Sequence, residues 1–283
     1  MGVRATDRRI IALAIPALGT LAAEPLYRLV DTAIVGRLGT DQLAGLAVAV
    51  TLLALVVAGS NFLAYGTTQR VANRLGAGQQ AEAADVGVQA LWIAGFVSVV
   101  AVPVLVLGAR PLASAIGADG DVLDFAVEYL QIAALGVPFV LIALAAQGMQ
   151  RGASDYRTPL VILVCSNIAN LLIEFVLVFG FDLGIAGAAW STTIAQAGAG
   201  VAFLVVVRPH LATARHRRRS RSGTGRLLNA GSHLLLRVGS MLAVTAGATA
   251  IAARIDAPTL AAHQIATSML FFLALALDAL AIP

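Results

Sequence analysis

Three ionisable residues, Glu24, Arg28 and Asp31, stand inside the apolar stretch 10–36, which is long enough to cross a bilayer. On a helix turning about 100° per residue they fall within roughly 60° of one another, so the two carboxylates flank the guanidinium on one face. A charge at the bilayer centre costs about 2.5–3.5 kcal/mol on insertion scales, which places the trio against a bundle interior or a water-filled cavity, not lipid. Two acids to one base leave a surplus carboxylate that can exchange a cation, and this points to a proton or ion relay. A buried ion-pair staple between helices is the other chemistry the same residues support. Pro16 and Pro25 each remove a backbone donor, a local weakness that neighbouring helices or cavity water can compensate.

A second polar face lies at Asn167, Asn170 and Glu174, spaced i, i+3 and i+7 in another apolar run. A carboxylate with two amides is a cation or proton site; interhelical hydrogen bonding, with Glu174 as acceptor, is the alternative. Thr192, Thr193 and Gln196 line GIAGAAWSTTIAQ (184–196), where packing and bonding back to the helix are the commoner roles of such residues. Further along stand Asn229, His233 and Arg237 at i, i+4 and i+8, then His263, Gln264 and Asp278. A lone intramembrane Asp is costly enough to make Asp278 a functional candidate.

Other chemistries find no support. The glycines of RLGAGQ lack the Lys-Ser/Thr of a phosphate loop and read as a turn. The acids of 119–128 form no paired aspartate-rich metal motif, and no His/Cys cluster or nucleophile constellation appears, so the sequence reads as no enzyme, with no metal and no cofactor. Cys165 is the single cysteine, which excludes an intrachain disulfide.

The elements that must hold these residues are membrane helices. The chain is 59% hydrophobic and 12% charged, against roughly a quarter charged in soluble domains. Aromatics are 6%, while small aliphatic residues dominate, favouring close-packed helices over an aromatic-girdled barrel. Arg8 and Arg9 before an apolar run resemble a secretory signal, but apolar character resumes after Glu24 and excludes that reading. Spans are expected at 10–36, from about 43 to beyond 66, 88–109, 125–149, 160–181, 184–207, 227–253 and from about 258 to the end. The polar connections are expected at 36–45, 69–85, 119–128, 151–159 and 181–183. The stretch 208–226, with seven Arg and two His, reads as a basic linker.

Arginine placement orients the bundle. With a cytoplasmic N-terminus, fourteen Arg lie on the cytoplasmic side and three (Arg37, Arg110 and Arg254) opposite, a strong positive-inside bias. The basic linker then meets anionic lipid, and no nucleic acid is implied. The partners are the bilayer and small molecules; oligomeric state is not encoded legibly.

An offset of 217 places TAIVGRLGTDQLAGLAVA (32–49) over TAIAARIDAPTLAAHQIA (249–266), with the Arg-bearing turn preserved, and sets Asp278 over Asn61. Helix one thus matches helix seven. Six helices per unit is an even number, so the units run parallel, as in transporters built from repeats about the membrane normal.

Together LAAEPLYRLVDTAIVGRLGTDQLAGLAVA, VANRLGAGQ, GMQRGASDYRTPL, GIAGAAWSTTIAQ and LAAHQIA with ALDALAIP resemble the multidrug and toxic compound extrusion (MATE) family, specifically its DinF-like subgroup. The resemblance implies an all-α polytopic membrane protein, a two-lobe helical bundle. Here it would comprise a six-helix N-terminal lobe (1–207), the linker (208–226) and about two helices of a second lobe (227–283), a partial copy of a twelve-helix protein. It implies efflux of amphipathic, often cationic compounds across the cytoplasmic membrane, driven by H⁺ or Na⁺. By position, Asp31 matches the family's essential acid of helix one, Asn170 and Glu174 its Asn-x-x-x-acid element, and Thr192 a polar position of the same pocket. Glu24 and Arg28 would be a supporting ion pair. A lipid-linked precursor flippase and a non-transporting membrane scaffold are the alternatives.

Overall fold

A computed structural model of the chain describes residues 31–214, with isolated positions at 240, 244, 248, 251, 266 and 270. Glu24, Arg28 and Asp278, the second repeat copy, Pro16 and Pro25, and the linker beyond 214 lie outside the described residues. The described secondary structure is helical. Helix α1 is described over 31–36, followed by α2 (Thr40–Ser60), α3 (Phe62–Gly76), α4 (Gln80–Leu107), α5 (Ala109–Ala115), α6 (Gly120–Ala133), α7 (Val137–Gly152), α8 (Arg157–Phe175) and α9 (Gly184–Leu211). A 3₁₀ turn, Ala134–Gly136, joins α6 to α7, and a π turn, Val176–Gly180, ends α8.

Among the described residues, five stretches are long and apolar enough to cross a membrane: Thr40–Gly76, Gln80–Leu107, Gly120–Gly152, Arg157–Gly180 and Gly184–Leu211. They correspond to the second to sixth expected spans, but the helices run further than the apolar runs. The expected polar loop 69–85 shrinks to 77–79, because α3 and α4 continue through it. The acidic connection becomes the first turns of α6, with Arg110 of α5 paired to Asp124. Likewise α9 takes in Arg208, Pro209 and His210, the beginning of the expected linker. The physical reason is common to all three. Hydrophobic periodicity marks where lipid stops, whereas the backbone keeps its hydrogen bonds by staying helical past that point, and cationic side chains in a last turn complement the helix dipole. Two expectations hold closely: the tight turn at 181–183, and Pro159 in the first turn of α8.

Packing is close and uses small residues. Gly148 and Gly152 of α7 lie directly on α3, whose Ala64 and Thr68 carbonyls approach within contact distance. Gly45 of α2 meets Phe125 and the backbone of α6 in the same manner, and Gly200 of α9 meets Phe139 of α7. The main core joins Leu46, Leu63, Ile93, Leu130 and Leu141 among others; a smaller one gathers Val71, Met149, Phe203 and Val207. Large apolar side chains such as Phe96, Val99, Leu107, Leu172 and Val205 point outward. In water that surface would aggregate; in a bilayer it faces its natural solvent.

Candidate ion-coupling site

Helix α8 carries the clearest signal. It is a peripheral helix with Val161, Ile168, Leu172 and Phe175 turned outward, and beyond Pro159 at its start the side chains it buries are Asn170 and Glu174. One turn apart, both face inward, with Glu174 at 0% and Asn170 at 3% exposure. Ser166, one turn before Asn170 on the same face, ties α8 to α9 by donating to the Ala195 carbonyl at 2.9 Å. Asn167, expected on this face with them, is only half-buried.

Helix α9 answers with Thr192, 8% exposed, whose Oγ1 accepts from Asn170 Nδ2 at 3.4 Å. From α6, Tyr129 brings its hydroxyl within 3.4 Å of the same oxygen. Both contacts are long, so they orient more than they bind. Thr193 has the ordinary role anticipated for it, donating to the carbonyls of Ala189 at 2.9 Å and Ile132 at 3.1 Å. The second of these anchors α9 just before the 3₁₀ turn that precedes Pro138, and so holds α6 in the register that presents Tyr129. Gln196 points at Gly136, where any side chain would collide with its amide.

Asp31, 6% exposed at the beginning of the described chain, lies close enough to Glu174 for the two carboxylates to interact electrostatically. The structure therefore brings together all four of Asp31, Asn170, Glu174 and Thr192, although they are spread over more than 160 positions. Both oxygens of Glu174 and Oδ1 of Asn170 are buried, and among the described residues no amide or hydroxyl donor reaches them; the hydrogen-bonding neighbour of Glu174 is the Asp31 carboxyl. Two neighbouring carboxylates away from water repel each other, and a bound proton or a small cation with a taste for hard oxygen ligands relieves that repulsion.

Two features of the site escaped the sequence. Tyr129 directly follows the acidic stretch and carries no spacing signal of its own. The π turn begins two residues after Glu174, a geometry frequent at functional sites. Gly187 of α9 packs against it, its position for a Cβ lying 3.1 Å from the Leu177 and Val178 backbone.

The model of the family described as MatE matches residues 16–176, more than half of the chain. The chain belongs to the MatE family. Its members are transporters, not enzymes, and multi-pass membrane proteins. Protein DETOXIFICATION 44, chloroplastic, of Arabidopsis thaliana is 31% identical over 99% of this chain and 56% of its own length. DNA damage-inducible protein F of Escherichia coli strain K12 is 29% identical over 98% of this chain and 61% of its own, in keeping with the DinF-like resemblance. A structure described as the outward-facing conformation of a multidrug resistance MATE family transporter of the MOP superfamily superposes with a TM-score of 0.85 at 20% identity. It covers 96% of this chain and 62% of that one, and bears out the all-helical fold. The chain spans about half the length of the curated relatives it matches.

Proposed function

We propose that this chain is the ion-binding part of a MatE antiporter that exports amphipathic, often cationic compounds across the cytoplasmic membrane in exchange for H⁺ or Na⁺. Asp31, Glu174, Asn170 and Thr192 form the coupling site, Glu24 and Arg28 a supporting ion pair, and Asp278 a counterpart in the second lobe. The observation that carries the reading is the cluster of buried acceptors: two carboxylates and an amide oxygen facing inward from α1 and α8, where among the described residues Glu174 meets the Asp31 carboxyl and no amide or hydroxyl donor. In one conformation this group holds its ion away from water. In another, cavity water reaches it and the ion exchanges, so that ion affinity differs between states, as coupling requires. The kinship with a DETOXIFICATION protein and the fold likeness to a multidrug resistance transporter support the choice of cargo.

The test is dye efflux from cells carrying this chain and, separately, its gene extended past Pro283. Export by the extended form is expected to stop when an ionophore collapses either the proton or the sodium gradient, and which one identifies the ion. Export that persists with both gradients collapsed would refute ion coupling.

Tyr129→Phe keeps the ring and removes the hydroxyl beside Thr192. With contacts this long, efflux in the extended protein should fall only about threefold, the equivalent of roughly 0.7 kcal/mol. The efflux assay on the variant at matched expression checks it.

A further inference from the structure

Arg151 stands in the last turn of α7, half-buried, and its hydrogen bond is to a neutral group: Nη2 donates to Gln147 Oε1 at 3.1 Å. Among the described residues, the other polar groups within its electrostatic reach are the phenols of Tyr65 and Tyr156. No carboxylate among the described residues neutralises it, whereas Arg74 is paired with Glu82 and Arg110 with Asp124. A guanidinium presents five N–H donors in a planar fork, so one bond leaves four directed elsewhere. A partly desolvated charge without a counter-charge is unfavourable, and this implies an anion from outside the described chain.

A second observation points the same way. Gln150, 5% exposed, has neither its amide oxygen nor its amide nitrogen satisfied. On α7, Gln147, Gln150 and Arg151 lie within about 100° of one another, a single polar stripe between the Gly148 and Gly152 face and the α9 contact.

Location narrows the anion. Because successive spans alternate in direction, the ends of α3, α7 and α9 and the starts of α4 and α8 share one end of the bundle. Arg70, Arg74, Arg151, Arg157 and Arg208 all belong to that end. Basic pockets between helices at such an end suit acidic headgroups, and Tyr is a usual companion at the interface. A phosphate fits the Arg fork in a bidentate manner and accepts from amides and phenols at once.

We propose that Arg151, with Gln147, Gln150, Tyr65 and Tyr156 around it, binds the phosphate of an anionic phospholipid headgroup at the Arg-rich end of the bundle.

The experiment is native mass spectrometry of the complete protein in micelles containing phosphatidylglycerol and phosphatidylcholine in equal amounts, with and without millimolar inorganic phosphate. The parent should retain phosphatidylglycerol preferentially, and Arg151→Gln should reduce that preference roughly tenfold, the scale of one charge-assisted pair. Arg151→Lys should keep part of it, and Arg157→Gln, at an exposed position, nearly all. Thermal midpoints in phosphatidylcholine alone report folding, and they should be equal for parent and Arg151→Gln. An unchanged preference in Arg151→Gln would overturn the proposal. So would displacement of the lipid by inorganic phosphate, which would make this a site for the free anion. A midpoint lowered equally in both lipids would also overturn it, since Arg151 would then pair with an acid elsewhere in the protein.

Discussion

In the protein encoded by the gene extended past Pro283, Asp31→Asn should lower ion-driven dye efflux about a hundredfold, and Glu174→Gln should do nearly the same. Asn and Gln preserve shape and hydrogen-bonding capacity but cannot exchange a proton and hold a cation only weakly. A hundredfold corresponds to about 2.7 kcal/mol, within the range of a single interaction with a buried charge. Folding should not suffer. Removing one of two adjacent buried carboxylates removes repulsion, so thermal midpoints of the variants are expected at or above that of the parent. Because the two acids act on one ion, the double variant should be little worse than either single one, a non-additivity that two independent roles would not give. Glu174→Asp, which keeps the carboxylate on a side chain one methylene shorter, should retain most activity. Full gradient-driven efflux by Asp31→Asn at normal expression would remove Asp31 from the coupling site.

Much of this site was legible because membrane burial makes polar residues conspicuous. In α8 the inward face could be found by noting which residues were not apolar, and Asn170 and Glu174 are indeed what that helix buries beyond its first turn. Thr192 could be placed on the inner face of α9, but its contacts with Asn170 and Tyr129 depend on how three helices approach one another, which no periodicity records. Apolar runs do not mark the helix limits wherever polar residues continue a helix, as in α3, α4 and α6. The packing code is also in the sequence: GMQRG is a small-xxx-small pattern at 148 and 152, and both glycines are what α7 presents to α3.

That code leads to the largest expected effect on stability. At Gly148 a Cβ would stand 2.6 Å from the Ala64 carbonyl oxygen, 2.9 Å from Thr67 Cβ and 3.1 Å from the Leu63 carbonyl oxygen. Two of these three neighbours are backbone, so neither rotamer change nor trimming of Thr67 makes room; α3 and α7 must separate. Overpacking of this kind costs about 3 kcal/mol, the upper end of the usual range, and Gly148→Ala should lower the denaturation midpoint accordingly. Gly152, whose Cβ would meet the Thr68 carbonyl at 2.8 Å, should behave alike. Gly87→Ala is the informative contrast. Its Cβ would come even nearer to a heavy atom, but that atom is the sulfur of Met149, the far end of an unbranched and adaptable side chain. The cost there should stay below about 1 kcal/mol. If proximity alone governed the outcome, Gly87→Ala would be the worse of the two; melting curves of both variants, with Gly148→Ala in a Thr67→Ala background showing no rescue, decide whether backbone contact between α3 and α7 sets the stability of this bundle.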